Sequence, residues 1–164
     1  MNLILKAAKF AAEKHINQRR KYTGDPYIYH PARVAARVAI HEIATENLVA
    51  ASFMHDLIED CNVTYEKIKY LFNEEIANTV NWLTNISKDI IISRAARKLI
   101  DRDRLSVAPI PIKIIKMIDR IDNLNELPDC DFASIYREES TLLFDALRDA
   151  DEFLYMEGIK TCAL

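Results

Sequence analysis

Glycine is scarce in this chain, with only Gly24 and Gly158 among 164 residues. A Walker-type phosphate loop and a nucleophile elbow are therefore both absent, which removes two common routes to phosphate and acyl chemistry. Against many Ala, Leu, Ile, Lys and Glu, so little glycine points to an all-α fold. Cysteine is sparse as well. Cys61, Cys130 and Cys162 are scattered and odd in number, so they match neither a disulfide framework nor a zinc knuckle and suit a reducing cytoplasm. Long apolar runs are missing, and nothing approaches the length needed to cross a bilayer. The stretch from Met1 to Phe10 carries lysines inside its apolar pattern and no cleavage site, so no secretory signal is expected. A charge excess is missing too. The net charge of −3, with both signs interspersed, leaves no nucleic-acid footprint, and any hold on phosphate must come from a local basic patch.

What is present is an ordinary globular composition, half hydrophobic and 29% charged, in a chain long enough to bury a sizeable core. With no internal repeat, low-complexity segment or long linker, residues 1–164 read as one domain. Leu3 to His15 has the spacing of an amphipathic helix. The segment from Gln18 to Pro26 is a loop, punctuated by Gly24 and Pro26 and rich in basic residues. Pro31 suits a first helical position, which sets His30 at the mouth of a helix running to His41 or Ala44. Thr45, Thr64 and Asn73 are placed to cap three further helices, the first of them carrying the chain to Asp60. Lys88 to Leu105 reads as a basic helix, with Arg94, Arg97, Lys98, Arg102 and Arg104; these either supply phosphate contacts or, as is preferred, form a solvated face pairing with Asp101 and Asp103. From Ile110 the pattern mixes strand and helix periods. Helix is preferred because Pro111 sits well at a helix start. A last helix is expected from Asp131 to Glu157, stopped by Gly158.

The chemistry gathers in His55-Asp56-Leu57-Ile58-Glu59-Asp60. Four of these six side chains bind metal or move protons. Upstream, Leu48 to Met54 is almost wholly apolar, so the segment ends a buried helix. An imidazole and three carboxylates at such a place are costly unless compensated, and a divalent cation compensates them well. His30 and Asp119 stand at other helix ends. The resulting set of His30, His55, Asp56 and Asp119 is a mixed nitrogen and oxygen site without thiolate, suited to manganese, iron, cobalt or zinc with positions left open. Glu59 and Asp60 remain as a carboxylate pair for acid–base work. His15 and His41 lack ligand-like company and are left out of the site.

Four stretches, in order, carry a family likeness. They are Gln18-Arg19-Arg20-Lys21, Pro26-Tyr27-Ile28-Tyr29-His30-Pro31, His55 to Asp60, and Lys116-Met117-Ile118-Asp119-Arg120-Ile121-Asp122-Asn123-Leu124. The chain resembles the HD superfamily of metal-dependent phosphohydrolases. More closely, it is similar to the hydrolase domain of the RelA/SpoT family and the stand-alone small alarmone hydrolases, over about residues 5 to 127. The resemblance implies a helical HD domain holding one manganese ion on His30, His55, Asp56 and Asp119. It implies that Glu59 and Asp60 activate water against the 3′-pyrophosphate of (p)ppGpp, leaving GDP or GTP and pyrophosphate. It also implies substrate contacts from Arg20, Lys21, Thr23 and Asn123, with Arg20 stacked on guanine and Asn123 on the nucleoside. The expected partner is a small nucleotide, with no nucleic acid and no membrane. Rival readings are an HD hydrolase for another nucleotide, a sensor that binds without turnover, and a helical interaction protein that binds no metal.

Overall fold

The computed structural model describes residues 2–164, and among them every regular element is a helix. The helices are α1 Leu3–Lys14, α2 Tyr29–Ala39, α3 Glu46–Met54, α4 Leu57–Asp60, α5 Tyr65–Leu71, α6 Glu74–Leu83, α7 Arg94–Ser106, α8 Ile110–Asn125, α9 Ala133–Leu147 and α10 Glu152–Cys162. The chain divides into two compact units, the first ending at Thr84 and the second running Asn85–Leu164.

In the first unit α3 is central and packs against α1, α2 and α6. It is apolar nearly all round, with Leu48 to Ser52 and Met54 all buried, as a helix surrounded by others must be. Its one buried hydroxyl, on Ser52, returns a hydrogen bond to the Leu48 carbonyl at 2.8 Å. Ala7 and Ala11 on α1, and Ala50 and Ala51 on α3, are fully buried small residues that let these helices pack closely. Thr45, Thr64 and Asn73 cap α3, α5 and α6 as their positions suggested, each side chain accepting from a backbone N–H three residues on.

Two boundaries in this unit differ from the sequence expectation. Helix α2 starts at Tyr29, two residues before Pro31, and stops at Ala39. The helix entering the central stretch does not run unbroken to Asp60. It ends at Met54, His55 caps it, and α4 starts afresh at Leu57. The His55 Nδ1 contact with the Ser52 carbonyl, at 2.8 Å, takes up one of the carbonyls a helix end leaves without a partner. Between α1 and α2 the chain folds back on itself. Arg20 N–H donates to Asp25 O, Gly24 N–H to Arg20 O and Tyr27 N–H to Gln18 O, with Gly24 in the left-handed region at φ 76°.

In the second unit α8 packs against α7, α9 and α10. Pro109 and Pro111 stand at its start, where missing N–H groups cost nothing. Every residue from Ile112 to Ile121 is buried, charges included. Lys113 is paired there with Asp149 at 2.8 Å. The basic helix is shorter than expected, beginning at Arg94 after a Ser93 cap. Asp101 turns to Ser87, and Arg94 pairs with Glu139 at 2.7 Å instead of an acid on its own helix. The expected long last helix is two, α9 and α10, with Asp151 capping the second through Leu154 N–H. Gly158 therefore lies inside α10 and does not end it.

The reason for glycine there is space. A Cβ at 158 would stand 2.5 Å from two carbons of the Phe144 ring. In an open helix Gly→Ala stabilises by about 1 kcal/mol. At this contact overpacking opposes it by about 1–3 kcal/mol. We expect Gly158→Ala to lower the denaturant midpoint; a raised midpoint would mean that the Phe144 ring gives way.

Candidate metal centre

His55 owes its position to the end of α3, and His30 to the second place of α2, which packs against α3. Both rings are buried, and Asp56 follows His55 with its side chain 18% exposed. Nε2 of His55 lies 3.2 Å from Nε2 of His30 and 3.1 Å from Oδ2 of Asp56, while His30 Nε2 lies 3.7 Å from the same oxygen. The bond to the Ser52 carbonyl requires a proton on His55 Nδ1, which leaves Nε2 as a lone pair. With both rings neutral and His30 also protonated on Nδ1, three lone pairs would converge on one point. Such a group repels itself unless a cation or protons share it.

The spacing suits an ion. Ligand atoms about 2.1 Å from a common metal lie about 3.0–3.4 Å from one another in neighbouring positions. Among the described residues His30, His55 and Asp56 form a group able to hold a metal, with ligand atoms all within 4.8 Å. Two imidazoles and a carboxylate suit a divalent transition metal.

Outside these ligands lies a support that sequence reasoning missed. Tyr27 donates its hydroxyl to Asp56 Oδ2 at 2.7 Å, and its ring stacks on His15 with centroids 4.6 Å apart. The same ring meets the edge of His30 at 5.9 Å. His15 Nδ1 contacts Gln18 Oε1 at 2.7 Å, and the Gln18 amide donates to Asp60 Oδ2 at 3.1 Å. His15 thus forms a buried back wall behind these three side chains. Its Nε2 is the one buried side-chain nitrogen or oxygen without a hydrogen-bond partner among the described residues. Burial holds its pKa below the usual histidine range, against the opposing pull of Gln18 and then of Asp56 and Asp60. Cys61 lies 3.3 Å from His15 Nδ1. Its thiol is pushed up to about 11, first by burial and then by Asp60 and Asp56. The available signal for Tyr27 was its place three residues before His30.

The remaining expected residues fall as follows. Glu59 is half-buried and Asp60 exposed, both on α4. In the loop, the Arg20 guanidinium lies over the Tyr27 ring at 5.3 Å, and Lys21 over Tyr22 at 4.9 Å. Thr23 is exposed, and its hydroxyl accepts from the Asp25 N–H at 3.3 Å. Asp119 and Asn123 belong to the second unit, one turn apart on α8. The Asn123 amide donates to Asp119 Oδ1 at 2.7 Å and Lys116 to Oδ2 at 2.8 Å, which orients the buried carboxylate. His41 accepts from the Ile43 N–H at 3.3 Å, a local turn contact.

Residues 7–151 match the HD domain family. A guanosine-3′,5′-bis(diphosphate) 3′-pyrophosphohydrolase of Aquifex aeolicus is 41% identical over 140 residues, which is 83% of this chain but 18% of that protein. The chain thus spans under a fifth of that relative's length. A relative from Xenopus tropicalis, named guanosine-3′,5′-bis(diphosphate) 3′-pyrophosphohydrolase MESH1, is 37% identical over 131 residues, 78% of this chain and 71% of that one. The fold matches a solved structure described as a metazoan ortholog of SpoT that hydrolyses ppGpp, with TM-score 0.87, 23% identity, and coverage of 98% of this chain and 94% of that chain. No helix among the described residues is long and apolar enough to cross a membrane.

Two outcomes follow from this geometry. Tyr27→Phe keeps the ring on His15 but removes the bond to Asp56. It is expected to weaken manganese binding by about 10- to 100-fold, as for other groups that orient ligands, measured by calorimetric titration; unchanged affinity would remove Tyr27 from the centre. His15 contributes stability that is complete above about pH 6.5 and lost as pH falls, because the unfolded chain takes a proton that the buried ring resists. The stability difference between the wild type and His15→Gln should therefore shrink on acidification, and a flat difference would mean that His15 titrates normally.

Proposed function

The chain belongs to the HD domain family, and on that footing we propose that it is a metal-dependent pyrophosphohydrolase of (p)ppGpp, releasing pyrophosphate and leaving GDP or GTP. The observation that carries the reading is the convergence of His30, His55 and Asp56, with ligand atoms 3.1 to 3.7 Å apart. The activity for which the Aquifex and Xenopus relatives are named supports the substrate class. The family match runs from residue 7 to 151 and so draws on both units, which supports treating residues 1–164 as one HD domain.

His30, His55 and Asp56 would hold a divalent transition metal, for which we propose manganese. We retain Asp119 as the fourth ligand, on the sequence resemblance. When bound, such a cation lowers the pKa of water and polarises a phosphoryl oxygen. The protein's own groups do the rest. Tyr27 holds Asp56 in one orientation, and the Ser52 carbonyl fixes the proton on the far side of His55. Glu59 takes the proton of the attacking water. Asp60, steadied by the Gln18 amide, shares that role and returns a proton to the departing ribose oxygen. The loop holds the nucleoside. Arg20, with one face of its guanidinium on Tyr27, offers the other to guanine. Lys21 and Thr23 flank the base, and Asn123 contacts the nucleoside as donor and acceptor. The partner is this small nucleotide, and the setting we propose is the cytoplasm.

The test is pyrophosphate release from ppGpp by the full chain in manganese, beside His55→Ala and Glu59→Gln. We expect GDP as co-product, with the rate falling by about 100- to 10,000-fold in Glu59→Gln while metal is retained, and metal and rate both lost in His55→Ala. No release by a chain that holds manganese would transfer the proposal to another nucleotide. Failure to hold any divalent metal would overturn it.

A further inference from the structure

The second unit contains a cavity of about 360 Å³ walled by α7, α8 and α9, within the usual range for a small-molecule site. Two pairs of cations line it, each pair one helical turn apart: Lys98 and Arg102 on α7, Lys116 and Arg120 on α8. Between them the wall is aliphatic, from Leu99, Leu105, Ile135, Leu142 and Leu143, and the lining contains no aromatic ring.

The charges on α8 are already engaged. Lys116 is 2.8 Å from Asp119, while Arg120 donates to Ser140 Oγ at 3.1 Å and lies over the Tyr136 ring at 4.7 Å. Two of the three lining carboxylates are engaged as well. Asp101 accepts from the Ser87 N–H at 3.1 Å and from its hydroxyl at 2.6 Å, and Glu139 accepts both arms of the Arg94 fork at 2.7 and 2.8 Å. Glu138 is the third and stands exposed. Lys98 and Arg102 are different. Among the described residues neither makes a hydrogen bond or ion pair, although both are half-buried in the wall. Burial drives the Lys98 ammonium below the usual lysine range; Arg120, Arg94 and Lys116 add to this, and Glu139 alone opposes it. A cation kept in an apolar wall among other cations gains from an anion brought to it.

We propose that this cavity binds a small organic anion with an aliphatic body, its head group held between Lys98 and Arg102 and its chain on the leucine and isoleucine wall. The leucine and isoleucine side chains of the lining suit an aliphatic body. A phosphate and a carboxylate both match an ammonium beside a guanidinium fork.

Calorimetric titration of the full chain with octyl phosphate and with octanoate tests this, beside octanol and inorganic phosphate. We expect one molecule of anion per chain, with the tighter of the two identifying the head group. Lys98→Met and Arg102→Met should each weaken binding by about tenfold or more, whereas Lys160→Met on α10 should not. Because methionine keeps the aliphatic stem and removes the unpartnered charge, Lys98→Met should melt no lower than the wild type without ligand. The proposal is overturned if neither anion binds, if both methionine variants bind as the wild type does, or if octanol or inorganic phosphate matches the anions. A lowered melting temperature for Lys98→Met would overturn it too, by showing that the ammonium has a structural partner.

Discussion

The hydrogen bond between His55 Nδ1 and the Ser52 carbonyl, at 2.8 Å, is the contact on which the metal centre rests. It acts in two directions. Toward the fold, it occupies a carbonyl at the end of a helix too apolar to find water there, so α3 can stop inside the protein. Toward the site, it assigns the proton to the far nitrogen and turns the other lone pair inward, against His30 and Asp56. The same interaction that ends the helix turns Nε2 of His55 toward His30 and Asp56. This explains why the central stretch is not one continuous helix. An unbroken helix would keep the Ser52 carbonyl within its own ladder, and the imidazole would lose its orienting acceptor.

Around that point aromatic and amide groups link the charged side chains. Tyr27 links Asp56 to His15, and Gln18 links His15 to Asp60. The chain of contacts thus reaches from Asp56 to Asp60, a proposed acid–base group, through a hydroxyl, two rings and an amide. His15 bears the expense, with one ring nitrogen left buried and unmatched. The second unit treats charge differently. On α8 the buried Lys113 and Lys116 are each paired with a carboxylate, so their burial is compensated internally. On α7, Lys98 and Arg102 have no such pairing, and an outside anion is the natural complement.

Much of this was legible in the chain itself. The caps at Thr45, Thr64 and Asn73 are local, since a side chain reaches a backbone N–H three residues on whatever the rest of the protein does. The apolar run from Leu48 to Met54 announced a buried helix. His55-Asp56 with His30 pointed to a candidate metal group, because those residue types are expensive in such company. Less was legible where two distant segments had to meet. The sequence showed no sign that α9 and α10 are separate, since Gly158 looks like a stop signal until Phe144 is seen against it. Arg94 faced a choice of acids, and tertiary packing chose Glu139 over the nearer Asp101.

The sequence by itself determined the all-α class and most helix starts, and it singled out His30, His55 and Asp56, which the fold brings together, because these follow from period, capping chemistry and the cost of burying polar groups. Only the tertiary structure decided that α3 breaks at His55, that Tyr27 and His15 stand behind Asp56, and that Lys98 and Arg102, unpaired among the described residues, line a cavity with aliphatic walls. Each of those depends on which side chain from a remote segment arrives within about 3 Å of a given atom, the range over which hydrogen bonds act. Distances of that kind are set by packing, and no local pattern encodes them.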